Sequence, residues 1–228
     1  MHRELEICCY NVSDALIAEH AGADRIELCA GRPEGGTTPS LGVLISAIDV
    51  VSIPVFPMVR PRGGDFNYAD REYASMRDDV HTIATMGFPG LVIGILNSAG
   101  DVDIDRCATL LGIARAANPT IEVTFHRAFD EANEPIRAYQ QLAALGFTRL
   151  LTSGQEPDAM AGSALISELI TAHANSPAVM PGGSVRPDNV DKLLALGATN
   201  IHSSATRSSN TGVDAAIVGQ LAASVHAV

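Results

Sequence analysis

The sequence predicts one α/β domain over residues 1–228, a single (β/α)8 barrel of the TIM type. Three observations predict it. Short β-rich runs alternate with helix-period stretches about once every 25–30 residues, as repeated βα units require. One helix-to-strand turn is reused as Ala21-Gly22-Ala23-Asp24, Met86-Gly87-Phe88-Pro89, Leu145-Gly146-Phe147-Thr148 and Leu196-Gly197-Ala198-Thr199. An open doubly wound sheet would carry a phosphate fingerprint, yet no GxGxxG follows the first strand and no P-loop motif occurs.

The strands read in order as Leu5–Tyr10, Arg25–Cys29, Pro54–Arg60 and Gly90–Leu96, then Glu122–Phe129, Arg149–Gly154, Ala178–Gly183 and Asn200–Thr206. Between them lie amphipathic stretches such as Ser13–Ala21, Glu134–Leu145 and Asp188–Leu196. The glycine of each repeated turn follows a helical stretch, where a left-handed C-cap is least costly. Side chains alternate across a strand, so every second residue of a barrel strand faces inward. In the first strand Leu5, Ile7 and Cys9 form the apolar face that helices cover, which turns Glu6 and Cys8 inward. The second strand turns Ile26 and Leu28 outward, Glu27 and Cys29 inward. The fifth turns Val123 and Phe125 outward, Thr124 and His126 inward. Arg60, Thr152, Gly182 and His202 end their strands at the barrel mouth.

Composition narrows the function. With 46% hydrophobic and 18% charged residues the chain can bury a large core. A net charge of −11 argues against a nucleic-acid partner, which needs a basic face. No apolar run approaches the ~18 residues that cross a bilayer. The start runs directly into a strand without a secretory h-region, so a cytoplasmic location is expected. Cys8, Cys9, Cys29 and Cys107 form no CxxC and are expected as thiols. Fourteen arginines stand against one lysine, Lys192. It lies in the helix after the seventh strand rather than at a strand end, which excludes Schiff-base aldolase chemistry.

Barrel enzymes carry their sites at the C-terminal ends of the strands. A buried unpaired carboxylate costs several kcal/mol, so inward Glu6, Glu27, Arg60, His126 and His202 imply a compensating network there. A closed salt-bridge plug is the plainer explanation, but barrel interiors are ordinarily filled with Val, Ile and Leu. Arg60-Pro61-Arg62-Gly63-Gly64-Asp65-Phe66 follows the third strand, and Pro181-Gly182-Gly183-Ser184-Val185-Arg186-Pro187 leads from the seventh into a helix. Amides at Gly182 and Gly183, with Arg186 and the Ser203 hydroxyl nearby, make a candidate anion site. Arg60, Arg62, Arg127, Arg186 and Arg207 all fall at or just past strand ends. That local positive charge suits a small anionic ligand.

Glu6-Ile7-Cys8-Cys9, Ala23-Asp24-Arg25-Ile26-Glu27-Leu28-Cys29, Glu34-Gly35-Gly36-Thr37-Thr38-Pro39-Ser40 and the Arg60–Phe66 segment together resemble the CutC family, named for copper homeostasis. The resemblance continues through Thr124-Phe125-His126-Arg127-Ala128-Phe129-Asp130, Leu151-Thr152-Ser153-Gly154 and Pro181-Gly182-Gly183, and covers about Leu5 to Arg207. It implies a barrel, a cytoplasmic location, a homo-oligomer (dimer or tetramer) and copper binding. Its proposed copper(I) ligands map onto Cys8 and Cys29, and thiolate is the ligand type soft Cu(I) prefers. Two positions depart from the family pattern. Ser203 stands where some relatives carry a further cysteine, and Ser184 stands where glycine or alanine is more usual.

Two functions therefore stay open. One is a cytoplasmic copper(I)-binding protein using Cys8 and Cys29. The other is a barrel enzyme, an isomerase, epimerase or lyase, acting on a small anionic metabolite, phosphorylated ones included. In that enzyme Glu6 or Glu27 would be the base and His126 or His202 the acid or electrophile, with Arg60 and Arg62 clamping the anion. The Glu/His set could also hold a divalent metal.

Overall fold

The computed structural model describes residues 3–172, 176–208 and 211–227. Strands and helices alternate along the chain. The first half runs β1 (Glu4–Cys9), α1 (Val12–His20), β2 (Arg25–Leu28), α2 (Leu41–Val50), β3 (Val55–Pro57), α3 (Asp70–Thr85), β4 (Gly90–Ile93) and α4 (Ile104–Ala117). The second runs β5 (Glu122–Phe125), α5 (Pro135–Leu145), β6 (Arg149–Thr152), α6 (Ser163–Ala172), β7 (Ala178–Pro181), α7 (Val190–Ala195), β8 (Asn200–Ser203) and α8 (Ala215–His226). Two four-stranded parallel sheets, ordered β3-β2-β1-β8 and β4-β5-β6-β7, form the barrel wall. A parallel bridge between Met58 and Val92 joins them on one side. On the other, Gly182 and His202 bring the ends of β7 and β8 together: a Cβ at Gly182 would lie 3.2–3.3 Å from the His202 side chain.

Local chemistry sets the elements. Asn11 caps α1, its side chain accepting from the Asp14 amide at 2.8 Å. Gly146 ends α5 at φ 81, and its N–H reaches back to the carbonyls of Leu142 and Ala143. The strands stop earlier than their apolar runs suggest. After β5, His126 turns to cap a 3-10 helix at Arg127–Glu131, its ring nitrogen accepting from the Ala128 amide. α7 starts at Val190 rather than Asp188, because the Arg186 amide bonds to Asn189 Oδ1 and holds the preceding loop as a turn.

The alternation holds where it was read. Leu5, Ile7, Cys9, Ile26, Leu28, Val123 and Phe125 pack outward into one core with the helices. Cys8 and Cys29 form a separate inner cluster with Phe56, Met58 and Val92. The N-terminal end of the barrel is closed by charge. Arg25 donates to Glu4 and Glu6 at 2.6 Å each, and Arg149 pairs with Glu4 and Glu122. Both guanidinium groups lie about 5 Å from the Phe56 ring centroid (5.1 and 5.2 Å). No helix among the described residues is long and apolar enough to cross a membrane.

Candidate functional site

Strand register builds the site from β1, β2 and β8. Parallel pairing sets Glu6 beside His202 and, one inward position further along the strands, Cys8 beside Glu27. Glu6 is fully buried and both of its oxygens are committed, Oε2 to Arg25 at 2.6 Å and Oε1 to His202 Nδ1 at 2.7 Å. That bond fixes the imidazole and directs Nε2 toward Glu27 Oε2, 3.8 Å away. Cys8 Sγ, a Glu27 oxygen and a His202 nitrogen all lie within 4.8 Å of one another. Cys29 sits just behind, its sulfur 4.0 Å from Cys8 Sγ and 3.6 Å from Glu27 Oε2. All four cysteines are buried free thiols.

Charge is distributed unevenly across this cluster. Burial would raise the Glu6 pKa, but Arg25 and His202 outweigh it and hold it at about 2. Burial pushes Glu27 well above its usual value, and the neighbouring Cys8 charge adds to the shift. The sulfur–sulfur hydrogen bond with Cys29 pulls Cys8 well below 9.0 against its burial, with His202 assisting. Burial alone would lower His202, yet Glu27, Cys8 and Glu6 together raise it well above 6.5. The directions thus favour the charged forms of Glu6, Cys8 and His202 and disfavour the charged form of Glu27.

A cavity of about 260 Å³ opens above this cluster. Cys8, Glu27 and His202 reach it from the floor, and Arg60, His126 and Arg127 reach it from the walls. His126 is buried and neutral, burial and then the Arg60 charge lowering its pKa to about 3. Its Nδ1 accepts from Ala128, so the proton sits on Nε2, which has no partner. Arg60 is spent largely on structure, with Nη1 donating to the carbonyls of Glu34 and Gly36 and Nη2 to that of Gly64.

Other expected site residues are placed differently. Arg62 is turned away from the cavity. Its Nε bonds Glu72 at 2.6 Å, and its other nitrogens hold Asp65 and loop carbonyls, because the Gly63-Gly64 turn swings it toward the start of α3. Gly183 lines the cavity at φ 100, whereas the Gly182 amide is used by Thr152 O. The glycine turn does not abut a helix N-terminus, since the Ser184–Asn189 loop intervenes before α7. Ser203 reaches the cavity, but its hydroxyl donates to Val185 O and accepts from the Ala205 amide. Lys192 lies in α7, away from the strand ends.

Two residues that support the site escaped the sequence reading, and a third was read only in part. Arg25 compensates Glu6 and has the same inward parity as Glu27, a signal available in the strand. Asp130 accepts from Thr152 Oγ1, the Ser153 and Gln155 amides and Arg127 Nε, making it the hub of the β5–β6 rim. Arg127 was noted only as one of several rim arginines, and its fixed posture is a tertiary effect.

A family model described as the CutC family matches residues 3–207. The solved CutC protein of Streptococcus agalactiae, named for copper homeostasis, is 31% identical. That match covers 89% of this chain and 98% of that one, with a TM-score of 0.82. Phosphoribosylanthranilate isomerases share the fold alone. Those of Thermotoga maritima and Pyrococcus furiosus are each 14% identical over the full length of both chains, with TM-scores of 0.62 and 0.64. The chain therefore belongs to the CutC family.

Proposed function

We propose that this protein is a copper(I)-binding protein of copper homeostasis that holds the ion between Cys8 and Cys29, with His202 Nε2 as a third donor. The observation that carries the reading is the sulfur pair 4.0 Å apart and next to an imidazole already locked by a carboxylate. Two metal–sulfur bonds of about 2.3 Å each span at most about 4.6 Å, so an ion fits between these sulfurs without strand movement. Thiolates and imidazole suit a soft monovalent ion, and a carboxylate behind the histidine is the usual support for a metal-binding ring. Binding requires both thiols to lose their protons. Cys8 is predisposed to this, and Cys29 gives up the proton it shares with Cys8.

The named role of the Streptococcus relative supports copper as the cargo, and four free thiols suit a reducing cytoplasm. Aliphatic side chains along α2 (Leu41, Ile45 and Ile48 are 56%, 48% and 45% exposed) support a homo-oligomer through that face. Competition of Cu(I) between the protein and a chromogenic chelator tests the reading. Wild type is expected to take one ion, Cys8→Ala/Cys29→Ala to lose at least about a hundredfold in affinity, and His202→Gln to lose less. Equal affinities in wild type and the double variant would sink the proposal. Because Cys8, Glu27 and His202 also form a set that borderline ions accept, Zn(II) is titrated in parallel. Stronger retention of Zn(II) than Cu(I) would assign the site to the divalent ion instead.

A further inference from the structure

Above the sulfur pair, the mouth cavity carries polar groups that metal binding does not use. Its volume of about 260 Å³ is room for roughly eight or nine waters at about 30 Å³ each. Arg127 forms part of the wall in a fixed posture. Its Nε donates to Asp130 Oδ2 at 2.7 Å and its Nη2 to Ser153 Oγ at 2.8 Å. Asp130 is in turn held from β6 and the loop after it. Nη1 is left over, beside Gly183, where a Cβ would come within 3.7 Å of it.

His126 supplies a second donor. Its residue is only 3% exposed, and its Nε2–H has no partner. The Nδ1–Cε1 edge packs on Gly94, where a Cβ would sit 2.3–2.4 Å from those atoms, so the Nε2 side is the one left to the cavity. On the β2 side, Glu27 Oε1 is also buried without a partner. A buried polar group without a partner costs about 1–3 kcal/mol. A ligand that satisfied these two buried groups and met the solvent-exposed Arg127 would have negative charge at one end and a hydroxyl at the other. Asp130 is the acid of this rim, and Arg127 neutralises it. Arg60 adds positive charge against His126.

We propose that the mouth cavity binds a small hydroxylated anion, a hydroxycarboxylate or a phosphorylated polyol. Its anionic head sits on Arg127 Nη1 and His126 Nε2, and a hydroxyl sits on Glu27 Oε1. The site shares its floor with Cys8 and Glu27 but does not depend on a bound metal.

Calorimetric titration of metal-free protein with malate, glycerol 3-phosphate and neutral glycerol tests this. At least one anion binds and glycerol does not, and the two anion arms distinguish a carboxylate head from a phosphate head. Arg127→Gln weakens the anion at least about tenfold, as loss of a charge-assisted contact should. Ser184→Asp places a carboxylate at an exposed lining position without touching Asp130, and its left-handed backbone (φ 55) is one that Asp accepts. It is expected to weaken binding similarly. Because the protein titrated is metal-free, binding of either anion separates this site from the copper reading. Failure of both anions to bind wild type, or equal affinity in wild type and Arg127→Gln, would overturn the proposal.

Discussion

Glu6 has one oxygen on Arg25 and the other on His202, so its buried charge is compensated from below and from above. Both oxygens are thereby taken up, and Glu6 holds the His202 ring in place. Removing one partner of such a buried pair costs about 3–5 kcal/mol. Arg25→Leu is therefore expected to lower the denaturant midpoint by that order, and Arg25→Leu/Glu6→Leu to recover part of the loss. A midpoint unchanged in Arg25→Leu would contradict the network. His126 carries a pH signature of its own. Folded, its pKa is about 3; unfolded, it titrates near 6.5. As pH falls through that interval the unfolded chain takes up a proton that the folded chain refuses, so stability drops by up to about 1.4 kcal/mol per pH unit. Glu6 contributes only below about 4.5, as its depressed pKa is approached. Between pH 6.5 and 5 the raised Glu27 and His202 act with the opposite sign, so His126 is read as a difference. His126→Gln should lose less stability, or gain more, than wild type as pH falls through that interval, and an identical pH dependence in the variant would rule out the neutral buried ring.

At the scale of elements, period-2 alternation was legible because the outward faces of β1, β2 and β5 are uniformly apolar. It placed Cys8, Glu27, Cys29 and His126 correctly. It failed beyond the strand ends, where parity no longer governs direction. Arg62 follows a proline and precedes two glycines, and its long side chain went to α3 instead of the mouth. The glycine turn after β7 looked like a helix-borne anion site, but a side-chain bond from Asn189 delays α7. Strand register has a further consequence for the thiols. Cys8 pairs with Glu27, which leaves Cys29 two residues further along β2. A strand spacing of ~4.8 Å and a rise of ~3.3 Å per residue then separate the two Cα atoms by roughly 8 Å, beyond the ~7 Å that a disulfide bridges without backbone movement. Protein kept in air and then unfolded should still show all four thiols by titration. A loss of two would mean that β1 and β2 can shift.

Across the whole molecule, the barrel is stacked in three levels along its axis. An ion-pair lattice around Phe56 closes the N-terminal end, the thiol–histidine cluster lies above it, and the polar cavity opens at the C-terminal end. The sequence suggested the last two as one ring of catalytic groups, because parity gives a side chain's face but not its height or its partners. The structure resolves them by depth: Glu6 lies below, while Cys8, Glu27 and His202 reach the cavity from its floor and His126 and Arg127 from its walls. The middle level carries the central claim, and X-ray absorption at the copper edge of the Cu(I)-loaded protein tests it most directly. Two sulfur scatterers at about 2.3 Å and one nitrogen scatterer are predicted, with the nitrogen lost in His202→Gln. A first shell of nitrogen and oxygen only, or sulfur scattering that persists in Cys8→Ala/Cys29→Ala, would contradict it.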